Sequence, residues 1–505
     1  MRTSTYELFL PLINRKEEEI ADRTLLINGL YGAIDIIPKE YADKVRAGDF
    51  EGLPLALRER LLLRGHITCK DYDAELADQK LLGRIYRTII SRSSIEPVIM
   101  PTYDCNFRCP YCFEQHRLNH GQQWLDLNMS PGMIEAVFKA LKEYKDQGYL
   151  FKECYLYGGE PFLVKNIGTV RSICRHCKEM GLEIRAVTNG YDLDSFIDLM
   201  YEFKIKHLHI TVDGMGSVND RMRLHKSGCG TYEKILKNIE LALQRDIKIK
   251  MRVNVNHDNL HRIKELIDDI TARGLIKYKN YSYYFRAISD YDHPENPIQE
   301  HEIIDELLSI GFTAQEAIEH QNLYSGLAEG IWKLMEKENY PDFNPCYCGS
   351  EAGLMVIDPF GNVYPCTESV AREEIATGYV DQETGRIIWN FDRAKWRTRT
   401  TDIMEACLGC PYAFTCRGGC ASRAMAAHGS YFRESCGEFK EIAQFVAARV
   451  AGADWEKNHQ EELTLSLAGP LSRLSEADRK TIMETRNQKV MMDIIKNAGF
   501  ALKKE

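Results

Sequence analysis

At 505 residues the chain is long enough for about two to four domains and a sizeable buried core. A net charge of −9 argues against a general nucleic-acid binder, since no basic field would draw phosphate, and no apolar run approaches the ~20 residues that span a bilayer. Sixteen cysteines behind an N-terminus without a secretory pattern point to metal or redox chemistry in a reducing compartment, the cytoplasm by default.

In chain order, residues 1–95 read as a small α+β domain. Tyr6–Leu12 and Thr24–Ile37 have strand character, broken by turn signals at Asn28-Gly29 and Gly32. Lys39–Ala47, Leu55–Leu63 and Asp73–Ile90 read as helices. From residue 96 to 290, strand-type runs alternate with amphipathic stretches. The strands are Val98–Pro101, Cys154–Tyr157, Glu183–Thr188, His207–Val212, Lys248–Val255 and Tyr281–Ala287. The helices lie near Ser130–Asp146, Ile167–Met180, Asp194–Phe203, Thr231–Arg245 and Asn259–Arg273. Ser130 followed by Pro131 is an N-cap with proline at the first helical position. Six βα units of this kind predict an α/β fold with a parallel sheet, a partial (β/α)6 barrel.

Directly after the first strand comes Asp-Cys-Asn-Phe-Arg-Cys-Pro-Tyr-Cys, with Cys105, Cys109 and Cys112 spaced Cys-x3-Cys-x2-Cys. Three thiolates and no fourth leave one iron of a 4Fe–4S cubane open, whereas a structural zinc site closes with four protein ligands. A buried or zinc-binding cysteine cluster is the competing reading. The motif, with Tyr111 before the third cysteine, resembles the signature of radical S-adenosylmethionine (SAM) enzymes. The resemblance implies that the open iron chelates SAM, whose reductive cleavage gives a 5′-deoxyadenosyl radical. It also implies the same partial barrel, with chemistry at the C-terminal strand ends.

The strand ends fit that expectation. The second strand runs into Gly158-Gly159-Glu160-Pro161, which looks like the family's GGEP motif for the SAM amino group. The third ends at Asn189 and the fourth at Asp213, similar to family positions near the SAM ribose and the substrate. Asp220 and Arg223 resemble a local Asp-x-x-Arg element, and Arg252 shares a strand face with Asn254. Arg252 can pair with a carboxylate such as that of methionine; for both arginines the other reading is an ordinary turn residue or a barrel-mouth salt bridge.

A second cysteine field occupies residues 346–436. Cys348 and Cys366 flank Gly361; then come Cys407, Cys410, Cys416, Cys420 and Cys436. This order resembles the seven-cysteine SPASM pattern, which implies two auxiliary 4Fe–4S clusters and three clusters in all; a pair of zinc knuckles is the alternative. The resemblance assigns Cys348, Cys366 and Cys420 to the nearer cluster and Cys407, Cys410, Cys416 and Cys436 to the outer one. Cys346 can complete the nearer cluster or leave it an open iron. Cys174 and Cys177 lie in a helical pattern without a partner pair and read as structural. Residues 291–345 read as a helical insertion, and 437–505 as a helical extension with one helix starting at Ser475.

These features predict a radical SAM/SPASM enzyme that modifies a peptide or protein side chain, for example by a thioether cross-link. The resemblance brings a flavodoxin- or ferredoxin-type electron donor. It also makes the first 95 residues similar to the winged-helix element that binds leader peptides, with an unrelated helical cap as the other reading. Sulfatase-maturing relatives carry an aspartate after the cysteine matching Cys366; here Thr367 and then Glu368 follow, which makes formylglycine formation the alternative. Glu368 is a candidate base or an exposed carboxylate without a role. Small-molecule oxidation or epimerisation also stays open, and a non-catalytic Fe–S carrier is disfavoured by the complete SAM-type motifs. Neither nucleic acid nor membrane is expected as a partner.

Overall fold

The computed structural model describes residues 1–90, 95–288, 297–321, 346–458, 474–485 and 487–498. It divides into two compact units, the first made of Met1–Arg92, Gly311–Cys348 and Thr398–Glu505, the second of Ser93–Ile310 and Gly349–Arg397.

In the first unit, β1 (Arg2–Thr3) stands apart from the antiparallel sheet of β2 (Glu7–Leu10), β3 (Arg23–Asn28) and β4 (Ala33–Pro38), and pairs instead with β5 (Ile67–Thr68). The strand character expected over Thr24–Ile37 is broken at the expected turn signals, where Asn28 Oδ1 accepts from the Leu30 and Tyr31 amides and closes a turn. Helices Lys39–Ala47, Leu55–Arg64 and Tyr72–Ile90 follow. One face of the sheet buries Leu26 and Ile37 against Ala42, Val45 and Leu61. The other elements join through a cluster in which Tyr6, Leu82 and Ile85 pack with Phe414, Ile482 and Ile495. Ser475 caps helix Glu476–Glu484 with a reciprocal Asp478 contact, as its spacing predicts.

Beneath that sheet lies a charged network that the sequence reading missed. His66 is fully buried, with Nδ1 2.9 Å from the Glu7 carboxylate and Nε2 2.7 Å from Asp35 Oδ2. Arg64 also pairs with Asp35, and Arg60 reaches its other oxygen at 2.8 Å. Buried charges persist only when paired and hydrogen-bonded in this way.

In the second unit, β6 (Glu96–Ile99), β7 (Glu153–Leu156), β8 (Glu183–Thr188), β9 (His207–Thr211), β10 (Lys248–Val255) and β11 (Tyr281–Ala287) lie parallel in sequence order. Each expected strand is present, within two residues at either end. Apolar residues of the crossover helices, such as Val137 and Leu141 of Pro131–Asp146, cover the sheet; Ser130 Oγ caps that helix by accepting from the Met133 amide at 3.1 Å. Cys174 and Cys177 are fully buried on helix Ile167–Met180, where Cys177 hydrogen-bonds Cys154, in keeping with a structural role.

The sheet does not end at β6. Strand β12 (Leu354–Ile357) pairs in parallel with it, Leu354 opposite Glu96 and Ile357 opposite Ile99. β13 (Asn362–Tyr364), β14 (Gly378–Asp381) and β15 (Arg386–Trp389) then extend it antiparallel. The segment read as one domain over 346–436 falls in both units, Gly349–Arg397 lying with the parallel strands because β12 hydrogen-bonds to β6. Of the expected 291–345 insertion, helices Glu300–Ser309 and Ala314–Glu319 are present, and 322–345 lies outside the described residues. No helix among the described residues is long and apolar enough to cross a membrane.

Candidate active site

The loop after β6 folds by local hydrogen bonds. Asp104 Oδ1 accepts from the Cys105 amide at 2.8 Å, and Cys105 Sγ accepts from Phe107 N at 3.3 Å. The loop is stitched to the segment after Met222 by Arg108 N to Leu224 O, 2.7 Å, and Lys226 N to Asn106 O, 2.8 Å. The result places Cys105, Cys109 and Cys112 on the wall of one cavity of about 420 Å³. Burial pushes the Cys105 thiol up well beyond its ordinary value. It lifts Cys109 to about 11, against the pull of Arg223. Thiolates in this wall are thus favoured only beside added positive charge.

The segment after β7 packs directly on that loop. A Cβ at Gly158, whose φ is +120°, would meet Thr102 O at 2.6 Å; one at Gly159 would meet Tyr103 O and Asp104 O at 2.3 Å. The glycines are therefore required by backbone-on-backbone contact with the cysteine loop, not only by approach to a ligand. Glu160 is buried. Its carboxylate accepts from Phe162 N at 2.9 Å, Thr188 Oγ1 at 2.6 Å and Asn189 N at 2.6 Å. Burial outweighs these bonds and pushes its acid up to about 7. Asn189 Nδ2 donates to Asn106 Oδ1 at 2.7 Å and lies 3.9 Å from Cys105 Sγ.

Across the cavity, Tyr111 is the hub of a buried network. Its hydroxyl donates to Asp213 and accepts from Arg223 Nη1 at 2.9 Å and Asn254 Nδ2 at 3.2 Å. Arg223 spends Nη1 on Tyr111 and keeps Nε buried without a hydrogen-bond partner, and Arg252 spends Nε on Asn254 Oδ1 at 2.6 Å. Asp220, three residues before Arg223, works elsewhere: its carboxylate accepts from Thr231 N at 2.7 Å and Tyr232 N at 2.9 Å, capping helix Tyr232–Leu243.

The cavity thus gathers the three cysteines with Tyr111, Gly158, Gly159, Glu160, Asn189, Arg223, Arg252 and Glu368. Glu368 is half-buried in the wall, not an exposed carboxylate. Two candidates stand behind the wall: Asp213 holds Tyr111 from the buried side, and Pro161 is buried with its carbonyl accepting from Asn166. The sequence reading missed Glu114, Arg117, Tyr157, His209, Tyr284 and Arg286 on the same wall. A signal for the last three exists: His209, Arg252, Tyr284 and Arg286 alternate with buried apolar residues on β9 to β11. Burial, together with Lys250 and two arginines, pushes His209 down to about 4, so it lines the cavity as a neutral ring.

In the other unit, Cys407, Cys410, Cys416 and Cys436 form a second group. Burial pushes Cys407 and Cys416 up to about 12, and the neighbouring thiols add to the rise. Gly419 lets this happen: at φ +72° its missing Cβ would lie 1.9 Å from Ser435 O, so the loop before Cys420 lies against the residue before Cys436. Arg399 clamps the arrangement, donating to Tyr431 O at 2.7 Å, Arg433 O at 2.8 Å, Gly419 O at 2.9 Å and Gly418 O at 3.2 Å. Among the described residues no three His, Cys, Asp or Glu side chains gather around a single point as a mononuclear metal site does.

Residues 99–270 match the family model of the radical SAM superfamily, and residues 346–411 match that of the SPASM iron–sulfur cluster-binding domain. The chain carries a radical SAM domain and a SPASM domain. These two domains mark the chain as an enzyme and support 4Fe–4S clusters and SAM as its cofactors. Pre-heme d1 synthase of Dinoroseobacter shibae is 23% identical over 68% of this chain and 86% of its own length. The subtilosin biosynthesis protein AlbA of Bacillus subtilis is 22% identical over 73% of this chain and 79% of its own. The solved structure of anSMEcpe with bound AdoMet and Cp18Cys peptide shares the fold at a TM-score of 0.53 and 16% identity, over 70% of this radical SAM/SPASM chain and 97% of that one.

Proposed function

We propose that this radical SAM/SPASM enzyme modifies a peptide or protein side chain, starting at the cavity that Cys105, Cys109 and Cys112 share with Glu160, Asn189, Arg252 and Glu368. That convergence carries the reading. The residues present fit a three-thiolate 4Fe–4S cluster: buried Cys105 and half-buried Cys109 and Cys112 share one cavity wall, and Arg117 Nη1 lies 3.4 Å from Cys112 Sγ. When bound, the cluster and SAM supply one-electron cleavage of SAM and so hydrogen-atom abstraction from carbon.

The chain's own residues divide the remaining work. The Gly158–Glu160 segment and Asn189 bind the amino and ribose side of SAM, with Pro161 fixing the segment's exit. Arg252 takes a carboxylate through the donors it does not spend on Asn254, while Arg223 and Asp213 hold Tyr111 in place. Glu368 is placed to accept a proton from a substrate thiol, hydroxyl or amide. The product class we favour is an oxidative cross-link, a thioether among them. Support comes from AlbA, named for bacteriocin biosynthesis, and from anSMEcpe, solved with a peptide. Auxiliary clusters complete the proposal, the outer one on Cys407, Cys410, Cys416 and Cys436. A flavodoxin- or ferredoxin-type protein would deliver the electron.

A sulfatase-type maturase is the second reading, favoured by one observation. Glu368 lines the cavity, so a carboxylate is available one residue past Thr367. A similar protein, the cysteine-type anaerobic sulfatase-maturating enzyme of Clostridium novyi, is 22% identical over 65% of this chain and 88% of its own length.

Anaerobic reconstitution should load about twelve irons per chain by the three-cluster count, and about four would remove the auxiliary pair. Reductant with SAM should release 5′-deoxyadenosine, and Cys109→Ala should abolish it; persistence of the product would sink the site assignment. Peptides bearing cysteine beside varied acceptor residues then separate the two readings: a mass loss of two hydrogens marks a cross-link, and an aldehyde that reacts with hydrazide marks the sulfatase-type product.

A further inference from the structure

Arg117 and Glu114 are absent from every motif above, yet both line the cavity at the cysteine loop. They form a salt bridge of 3.0 Å with side chains only 4% and 3% exposed. Arg117 Nη1 also points at Cys112 Sγ, 3.4 Å away. The pair is not saturated: Arg117 Nε and Glu114 Oε1 are buried without hydrogen-bond partners. A buried pair with a spare donor and a spare acceptor costs desolvation that its own attraction does not fully return. Its placement against a thiol of the loop is the second observation that needs an account.

We infer that Arg117, with Glu114 as its counter-charge, sets the reduction potential of the cluster on Cys105, Cys109 and Cys112. The inference rests on the assignment of a cluster to those three cysteines. A three-thiolate cluster gains one negative charge when a low-potential donor gives it one electron. A guanidinium hydrogen-bonded to a ligating sulfur favours that reduced state, because hydrogen bonds to the sulfurs and local charge are what the protein uses to tune such potentials. Burial keeps the effect from being screened by water. Glu114 works in the opposite sense, holding the potential low enough for reductive chemistry. Arg117 is thus a positioning and tuning residue, not one that touches substrate.

The sign of the response separates tuning from a merely structural pair. The full-length reconstituted protein is titrated anaerobically with titanium(III) citrate and followed by electron paramagnetic resonance, reading the signal that SAM perturbs. Arg117→Gln should move its midpoint to more negative potential, lowering the ratio of reduced to oxidised cluster at the wild-type midpoint about tenfold, which for one electron is ~59 mV. Glu114→Gln should move it the other way, and Arg117→Lys should recover part of the first shift. An unchanged midpoint in Arg117→Gln at full iron content, or shifts of the same sign in both glutamine variants, overturns the inference. If Arg117→Gln does not retain iron, Glu114→Gln decides alone: a positive shift supports the inference and no shift overturns it. A triple alanine variant of the three cysteines that keeps the SAM-perturbed signal overturns the cluster assignment itself, a different failure.

Discussion

Gly159→Ala adds one methyl group where the cysteine loop and the segment after β7 meet. The new Cβ would lie 2.3 Å from both Tyr103 O and Asp104 O. Non-bonded atoms need roughly 3.3 Å, so one loop must retreat by about 1 Å. That retreat opens the Glu160 N to Asp104 O bond of 2.8 Å and the Gly159 N to Thr102 O bond of 3.3 Å. Two bonds at ~1 kcal/mol each and overpacking of ~1–3 kcal/mol give a destabilisation of roughly 3–5 kcal/mol. The same movement pulls Glu160 off its three donors, and a 1 Å misplacement at a reacting centre can cost ~10²-fold in rate. The assay is 5′-deoxyadenosine release from reconstituted protein, beside thermal unfolding. Gly168→Ala, with nothing within 4 Å of its added Cβ, is the control and should leave both readouts intact. Wild-type rate and melting temperature in Gly159→Ala would refute the steric argument.

Three further outcomes follow from other parts of the molecule. The charge of Glu7, aided by hydrogen bonds to Asp35 and Glu7, overcomes burial and raises His66 to about 9. Its contribution is therefore complete below the ordinary histidine value near 6.5 and is lost as pH rises through about 9, a span of ~3 kcal/mol; thermal unfolding between pH 6 and 10 should show it, and His66→Gln should flatten it. Arg399→Lys cannot reach four carbonyls at once. The variant should lose ~2–4 kcal/mol and retain fewer irons after reconstitution, and an unaltered melting curve and iron count would exclude the clamp. Asp220→Ala removes the cap of helix Tyr232–Leu243 and should cost ~1–2 kcal/mol in denaturant unfolding, while Asp220→Asn should recover most of it.

What the sequence disclosed follows the range of the interaction. β8, β10 and β11 were legible residue for residue because alternation is a local property, and Ser130 and Ser475 announced their helices because a cap acts over three residues. The cysteine spacings carried the chemistry for the same reason. Arg117, Arg399 and His66 did not stand out, since a lone arginine or histidine acquires its role only when distant carbonyls, thiols or carboxylates converge on it. The Asp-x-x-Arg element shows both cases at once: Asp220 caps a helix while Arg223 serves the Tyr111 network. That Gly349–Arg397 lies in the second unit depends on β12 finding β6, and no linear pattern encodes which strand pairs with which.

That pairing has a consequence for biosynthesis. Until Leu354–Ile357 is available, β6 is an open edge beside β7, offering unpaired amides and carbonyls to any other strand. About 250 residues separate the two strands, which at ~5–20 residues per second of translation is roughly 10–50 s on the ribosome. The nascent barrel must wait that long, its first strand exposed, before a segment of the SPASM region seals it. Chains truncated before residue 354 should accordingly be recovered as aggregates or chaperone-bound, whatever their cysteines hold.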